Sequence, residues 1–148
     1  MKVLFLVTIP SPYRVNFFNE LGKLCELTVF FEKEYSSERS DEWKKFDIVN
    51  FKAVFLKGIS VKANKAFCPE LIKIYKRTPH DVLVIGGYNT PTSMYLISYL
   101  RRHKHSFILS ADGGEVKQES KMAYLVKRHF ISSATMWIGT SSGTLDYF

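Results

Sequence analysis

Short apolar runs recur along this chain at residues 2–7, 27–31, 51–56, 81–85, 107–110 and 136–138, and amphipathic or polar stretches separate them. Runs that are apolar throughout, such as 27–31 with only Thr28 interrupting, belong to strands covered on both faces, because a half-solvated strand alternates instead. The stretch 13–23 carries Val15, Phe18, Leu21 and then Cys25 on one helical stripe. A second helix is expected from about Pro69, with Leu71, Ile72 and Tyr75 inward, ending at Lys76-Arg77 before Pro79. Thr90-Pro91 reads as an N-cap and a first-turn proline for a helix to about Arg102, and 119–132 reads as another. Strands alternating with helices predict an α/β fold: a doubly wound parallel sheet of about six strands, its first strand central, with helices on both faces. The remainder reads as loops. Residues 57–65 turn around Gly58, and 32–50 is charged and Ser-rich, with Trp43 and Phe46 as its apolar anchors. Residues 32–50 and 115–119 are expected to be the most mobile parts of the chain.

Composition removes several classes. A length of 148 residues suits one domain that buries roughly two thirds of its unfolded surface. With 46% apolar residues the chain is not of disordered composition. The apolar runs fall well short of the ~20 residues a spanning helix needs, and Met1-Lys2 leads into a strand-like run with no leader pattern. Cys25 and Cys68 stand in no CxxC or CxxH spacing, so both read as structural thiols of a reducing cytoplasm. The His residues lack ligand spacing, and no metal site is expected.

The formal charge of +7 calls for an anionic partner or surface. No helix-turn-helix, RNP or zinc pattern is present, so nucleic acid is the weaker candidate. The cations cluster in Arg101, Arg102, His103, Lys104 and His105, and again in Lys117, Lys121, Lys127, Arg128 and His129. Two readings stay open for these runs: solvated helix ends, with cations near the C-terminal dipole, or contact with anionic lipid headgroups.

Chemistry is expected at the carboxyl ends of the first, fourth and fifth strands, the edge where open α/β sheets bind ligands. At the first, Pro10 and Pro12 fix a stiff corner that presents Ser11, Tyr13 and Arg14 at the mouth of a helix. Arg14 sits in that helix's first turn, where a cation opposes the dipole. It is therefore expected to serve an anionic group such as a phosphate, the alternative being a pairing with a nearby carboxylate. At the fourth, Gly86, Gly87, Tyr88, Asn89 and Thr90 place a glycine pair beside a helix start; the pair either brings backbone close to a ligand or only makes a tight turn. At the fifth, Asp112 is followed by Gly113 and Gly114, and its carboxylate either holds a sugar hydroxyl or caps the next turn. A GxGxxG fingerprint is missing after the first strand, as are a P-loop and a GxSxG elbow, so dinucleotide, P-loop and serine-triad chemistry are disfavoured.

The run Ile9-Pro10-Ser11-Pro12-Tyr13-Arg14-Val15-Asn16-Phe17-Phe18-Asn19-Glu20-Leu21 resembles the opening of bacterial family-4 glycosyltransferases of the GT-B fold. Ile85-Gly86-Gly87-Tyr88 with Thr90-Pro91, and Ser110-Ala111-Asp112-Gly113-Gly114, resemble later segments of the same family, so the likeness spans essentially the whole chain. It implies a retaining, metal-independent hexosyltransferase with two Rossmann-like domains, of which residues 1–148 correspond to the N-terminal, acceptor-binding one. The donor half is then absent, the chain being a fragment that stops within a helical turn at 144–148 and is inactive alone. An apolar patch is expected near Tyr147-Phe148. The resemblance implies a glycan or lipid-linked acceptor, a nucleotide-sugar donor held by the C-terminal domain, no cofactor in this fragment, and a role in cell-surface polysaccharide assembly. Its expected place is the cytoplasm, peripherally on the inner face of the membrane. It gives Ser11, Pro12, Tyr13 and Arg14 a place lining the cleft, gives the segment from Gly86 to Thr90 and Gly113-Gly114 acceptor contacts, and gives Asp112 a substrate contact rather than the role of a base. From the residues alone, a non-catalytic α/β ligand-binding domain and a nucleic-acid-binding domain remain the alternatives.

Overall fold

Every strand pair in the main sheet is parallel, as the continuous apolar runs require. The structure is a computed structural model and describes residues 1–34, 47–62, 65–112, 120–141 and 144. Its elements in chain order are β1 (Lys2–Val7), α1 (Pro12–Leu21), β2 (Glu26–Phe31), β3 (Lys52–Phe55), β4 (Ile59–Lys62), β5 (Lys65–Phe67), α2 (Leu71–Arg77), β6 (Val82–Ile85), α3 (Pro91–Arg102), β7 (Ile108–Ala111), α4 (Lys121–Ile131) and β8 (Met136–Gly139).

The six-stranded sheet runs β3-β2-β1-β6-β7-β8. From β1 the chain moves outward to β2 and β3, returns to lay β6 on the other side of β1, and moves outward again to β7 and β8. The fold is therefore α/β and Rossmann-like, with β1 central and the strand order reversing between β1 and β6. Ligands of such sheets bind outside the carboxyl ends of the strands at that reversal.

Alternation along the strands divides the core. Val3, Phe5 and Val7 of β1 join Leu27, Val29, Phe31 and Val84 under α1, which contributes Val15 and Phe18. Phe18 is at the centre of an aromatic cluster, edge-on to Phe5 at 5.1 Å, Phe51 at 5.6 Å and Phe31 at 6.3 Å. On the opposite face Leu4, Leu6, Phe30, Leu83 and Ile85 pack against Leu71 and Tyr75 of α2, Leu96, Ile97 and Leu100 of α3, and Ile131 at the end of α4. Helices thus flank both faces.

Two expectations are corrected. Residues 57–65 are not a plain loop: Ile59–Lys62 and Lys65–Phe67 form an antiparallel hairpin. Ile59 and Val61 stay exposed, and Ala66 and Cys68 carry the burial, so the segment has too little apolar pattern to read as strands. The helix expected from Pro69 begins at Leu71, because Pro69 and Glu70 form the turn before it. The capping signal at Thr90-Pro91 holds in detail. Thr90 accepts a hydrogen bond from the Ser93 N–H at 3.0 Å, and Ser93 Oγ accepts from the Thr90 N–H at 3.2 Å. The expectations for Trp43, Phe46, Gly113, Gly114, residues 115–119 and Tyr147-Phe148 lie outside the described residues. No helix among the described residues is long and apolar enough to cross a membrane.

Candidate functional site

The stiff corner after β1 and the end of β7 meet. Arg14 donates from Nη2 at 2.6 Å and from Nε at 3.1 Å to Asp112 Oδ2, and the Tyr13 hydroxyl lies 3.4 Å from the same oxygen. Oδ1 takes none of these contacts. Residues separated by 98 positions are thus joined at the carboxyl edge of the sheet. The local structure explains why. Pro12 opens α1 and Ser11 is its N-cap residue in extended geometry, so Tyr13 and Arg14 emerge in the first turn, beside β1's end.

The pair stands at the rim of a cavity of about 530 Å³, within the usual range for small-molecule sites. Phe5, Val7, Gly86 and Ser110 form its floor on the α1 face of the sheet, and Phe17, Phe18, Ile138 and Thr140 its walls. Gly86 belongs there for a steric reason: a Cβ on it would lie 2.8 Å from Val7 Cγ1 and 3.2 Å from the Leu6 carbonyl oxygen. Gly87 has φ +105°, a conformation that side chains disfavour. Met136 and Ile138 of β8, on the same side of the sheet, remain exposed.

The other expected residues are distributed differently. Tyr88 stacks on Phe130 with ring centroids 6.4 Å apart, on the α4 side of the sheet, and Asn89 is exposed. Thr90 is buried and its hydroxyl is engaged, so it contributes a helix start rather than a surface contact. Ser11 is buried too, and its Oγ has no partner among the described residues. Arg14 is not a bare cation awaiting an anion; the carboxylate alternative is the one observed. The alternative in which Asp112 caps the turn after it lies outside the described residues, because that turn begins at residue 113.

Sequence reasoning missed Glu32. The sequence places it in the charged stretch 32–50 that follows β2, yet it is only 2% exposed. Its backbone N–H donates to the Val7 carbonyl, which continues the ladder one residue beyond β2. Its carboxylate then reaches across the tip of β1 to Thr90, whose hydroxyl lies 2.6 Å from Oε1. Burial pushes the Glu32 carboxyl up from its ordinary 4.5 to about 7, against the opposing pull of the Thr90 hydrogen bond, the Ala66 backbone, the Lys65 charge and the Thr92 hydroxyl. Oε2 has no hydrogen bond of good geometry among the described residues. The available signal was positional: like Asp112, Glu32 is an acid directly after an apolar strand. Cys68, buried beside it, has its thiol pushed up by burial and then by the Glu32 charge.

In comparisons with known proteins, no protein-family model matches the chain, and no curated protein or solved structure matches it. The Rossmann-like class rests on the sheet order, and the site on its own geometry.

Proposed function

We propose that this chain is the acceptor-binding domain of a GT-B glycosyltransferase, taking a sugar or lipid-linked sugar at the Arg14–Asp112 cavity. One observation carries the reading: segments after β1, β6 and β7 converge on a single cavity beside the reversal of strand order. The ion pair suits neutral hydroxyls. A carboxylate accepts hydroxyl protons, a guanidinium donates to hydroxyl oxygens, and neither charge has to be buried alone. An anion, by contrast, would have to displace Asp112 from Arg14. Phe5, Phe17 and Phe18 offer an apolar wall to a ring face or lipid tail. In this reading Asp112 holds an acceptor hydroxyl, Arg14 orients Asp112, and the nucleotide-sugar donor is held by a second domain. The exposed Met122, Leu125 and Val126 of α4, interleaved with Lys121 and Arg128, favour an anionic membrane surface as the place of work.

The test is ligand-observed NMR on this chain with a panel of neutral glycans and lipid-linked sugars, with nucleotide sugars and single-stranded DNA as comparators. Binding of a glycan that weakens at least tenfold in Asp112→Asn supports the proposal. Binding of nucleotide sugar at the same cavity, or of DNA with a steep salt dependence, overturns it.

A further inference from the structure

The hydroxyl cluster under the start of α3 has a feature that the sugar reading does not use. The Thr90 hydroxyl has one proton and two acceptors in reach, Glu32 Oε1 at 2.6 Å and Ser93 Oγ at 2.8 Å. Ser93 Oγ itself donates to the Thr90 carbonyl at 3.0 Å, so its own proton is committed. We propose that Glu32, Thr90 and Ser93 form a two-state proton switch, in which uptake of one proton by the Glu32 carboxylate reverses the hydrogen bond to Thr90.

In the ionised state the Thr90 hydroxyl donates to Oε1, and 2.6 Å is the length of a hydrogen bond from a hydroxyl to a carboxylate. In the protonated state Oε1–H donates to Thr90 Oγ1, and the Thr90 hydroxyl turns to Ser93 Oγ. The balance is complete: one proton arrives from solvent, one O–H forms on Oε1, and every hydroxyl proton of the cluster keeps an acceptor. Thr90 Oγ1 then accepts from both Glu32 and the Ser93 N–H, within the capacity of a hydroxyl oxygen. Oε2 has no hydrogen bond of good geometry among the described residues, and a neutral carboxyl tolerates that better than a carboxylate does.

The surroundings favour a poised equilibrium. From the hairpin Lys65 attracts the charge of the carboxyl, and Cys68 just after it is an uncharged thiol that burial and the Glu32 charge keep protonated. From α3, Thr90, Thr92 and Ser93 present uncharged hydroxyls, and β1 ends beside it in Val7 and Thr8, neither of which titrates. Burial holds the carboxyl near 7, so both states are populated around neutrality. What switches is a negative charge at the amino end of α3, next to the Gly86–Asn89 turn and the hairpin that packs on Thr92. The inference stands whether or not the ligand is a sugar.

The experiment is a pH titration followed by carboxyl-carbon NMR on protein labelled at glutamate, with the Glu32 signal assigned by its loss in Glu32→Gln. Glu32 is expected to titrate near neutrality. The two hydroxyl variants should move its midpoint in opposite directions. Thr90→Val removes the donor to the carboxylate and raises the midpoint, whereas Ser93→Ala removes the acceptor that the protonated state needs and lowers it, each by about one pH unit. The Thr90 and Ser93 amide signals should follow the same midpoint in the wild type and be flat in Glu32→Gln. A Glu32 midpoint near 4.5, or a Ser93→Ala midpoint that rises or stays put, overturns the switch. Should Thr90→Val fail to fold, the direction of the Ser93→Ala shift decides alone.

Discussion

Replacing Glu32 by Gln removes one titration from the folded state, and the consequence for stability can be worked out in sign and size. The folded-state carboxyl is raised from its ordinary 4.5 to about 7. Below 4.5 Glu32 carries a proton in the folded and the unfolded chain, and its contribution to stability is fully present. As pH rises from 4.5 to 7 the unfolded chain has released that proton and the folded chain still holds it, so unfolding is increasingly favoured. Above 7 both are ionised and the loss is complete. At 1.36 kcal/mol per pH unit, a window of this width amounts to about 3 kcal/mol, roughly 10 °C in Tm for a chain of this size. Urea unfolding of wild type and Glu32→Gln at pH 4 and pH 8 isolates the term, because the remaining groups titrate alike in both. The wild type should be the more stable, or equal, at pH 4 and should lose about 3 kcal/mol relative to the variant by pH 8. A relative change below about 1 kcal/mol, or one of opposite sign, refutes the argument that burial dominates the Thr90 and Lys65 interactions.

Other outcomes follow from the same geometry. The Arg14–Asp112 pair is partly exposed, with side chains at 19% and 37% of full accessibility. An Arg14→Ala/Asp112→Ala double-mutant cycle in urea should give a coupling of about 1 kcal/mol, larger than the usual surface pair, that shrinks in high salt. In an enzyme that contains the donor domain, Arg14→Ala should lower kcat/KM about ten- to a hundredfold while lowering Tm by only about 2–4 °C, measured by initial rates beside calorimetry. Gly86→Ala drives a methyl against Val7 and should cost roughly 1–3 kcal/mol in urea unfolding while shrinking the cavity floor. Phe18→Ala empties the centre of the aromatic cluster and should cost roughly 3–5 kcal/mol by the same measurement.

Elements with a strong period were legible. The run 27–31 and the stripe Val15, Phe18 and Leu21 place their residues on the sheet and helix faces without any tertiary information. The Thr90-Pro91 cap was legible because both of its devices, a hydroxyl acceptor and a proline at the first helical position, are local. The β4–β5 hairpin was not, since it is held by backbone pairing and a hydrogen bond from Thr92 to the Ala66 carbonyl, neither of which leaves an apolar pattern. For the site, Arg14 and Asp112 were each singled out on local grounds, yet their pairing across 98 positions is a product of the sheet order. Glu32 failed for the opposite reason. The residues that directly follow it are charged, while its partner Thr90 lies 58 positions away and on the far side of β1.

Glu32 and Asp112 follow different strands of the same edge, and the contrast in their surroundings separates two kinds of chemistry. Asp112 meets a guanidinium, stays partly open to solvent, and faces a cavity. A carboxylate so placed keeps its charge available to an incoming hydroxyl without the full cost of burial. Glu32 hydrogen-bonds to the Thr90 hydroxyl, is shut away from water, and lines no part of that cavity. It is not positioned to touch a ligand in the cavity, but its proton alters the charge at the start of α3, and the turn that includes Gly86 leads directly into that helix. A ligand that packs on Gly86 therefore has a physical route to sense Glu32. Affinity for a neutral ligand at the cavity should change across pH 6–8 in the wild type and lose that change in Glu32→Gln, while Asp112→Asn should weaken binding equally at both ends of the range. Calorimetric titration at pH 6 and pH 8 with the three proteins measures this directly. An unchanged pH profile in Glu32→Gln would show that the two carboxylates act independently.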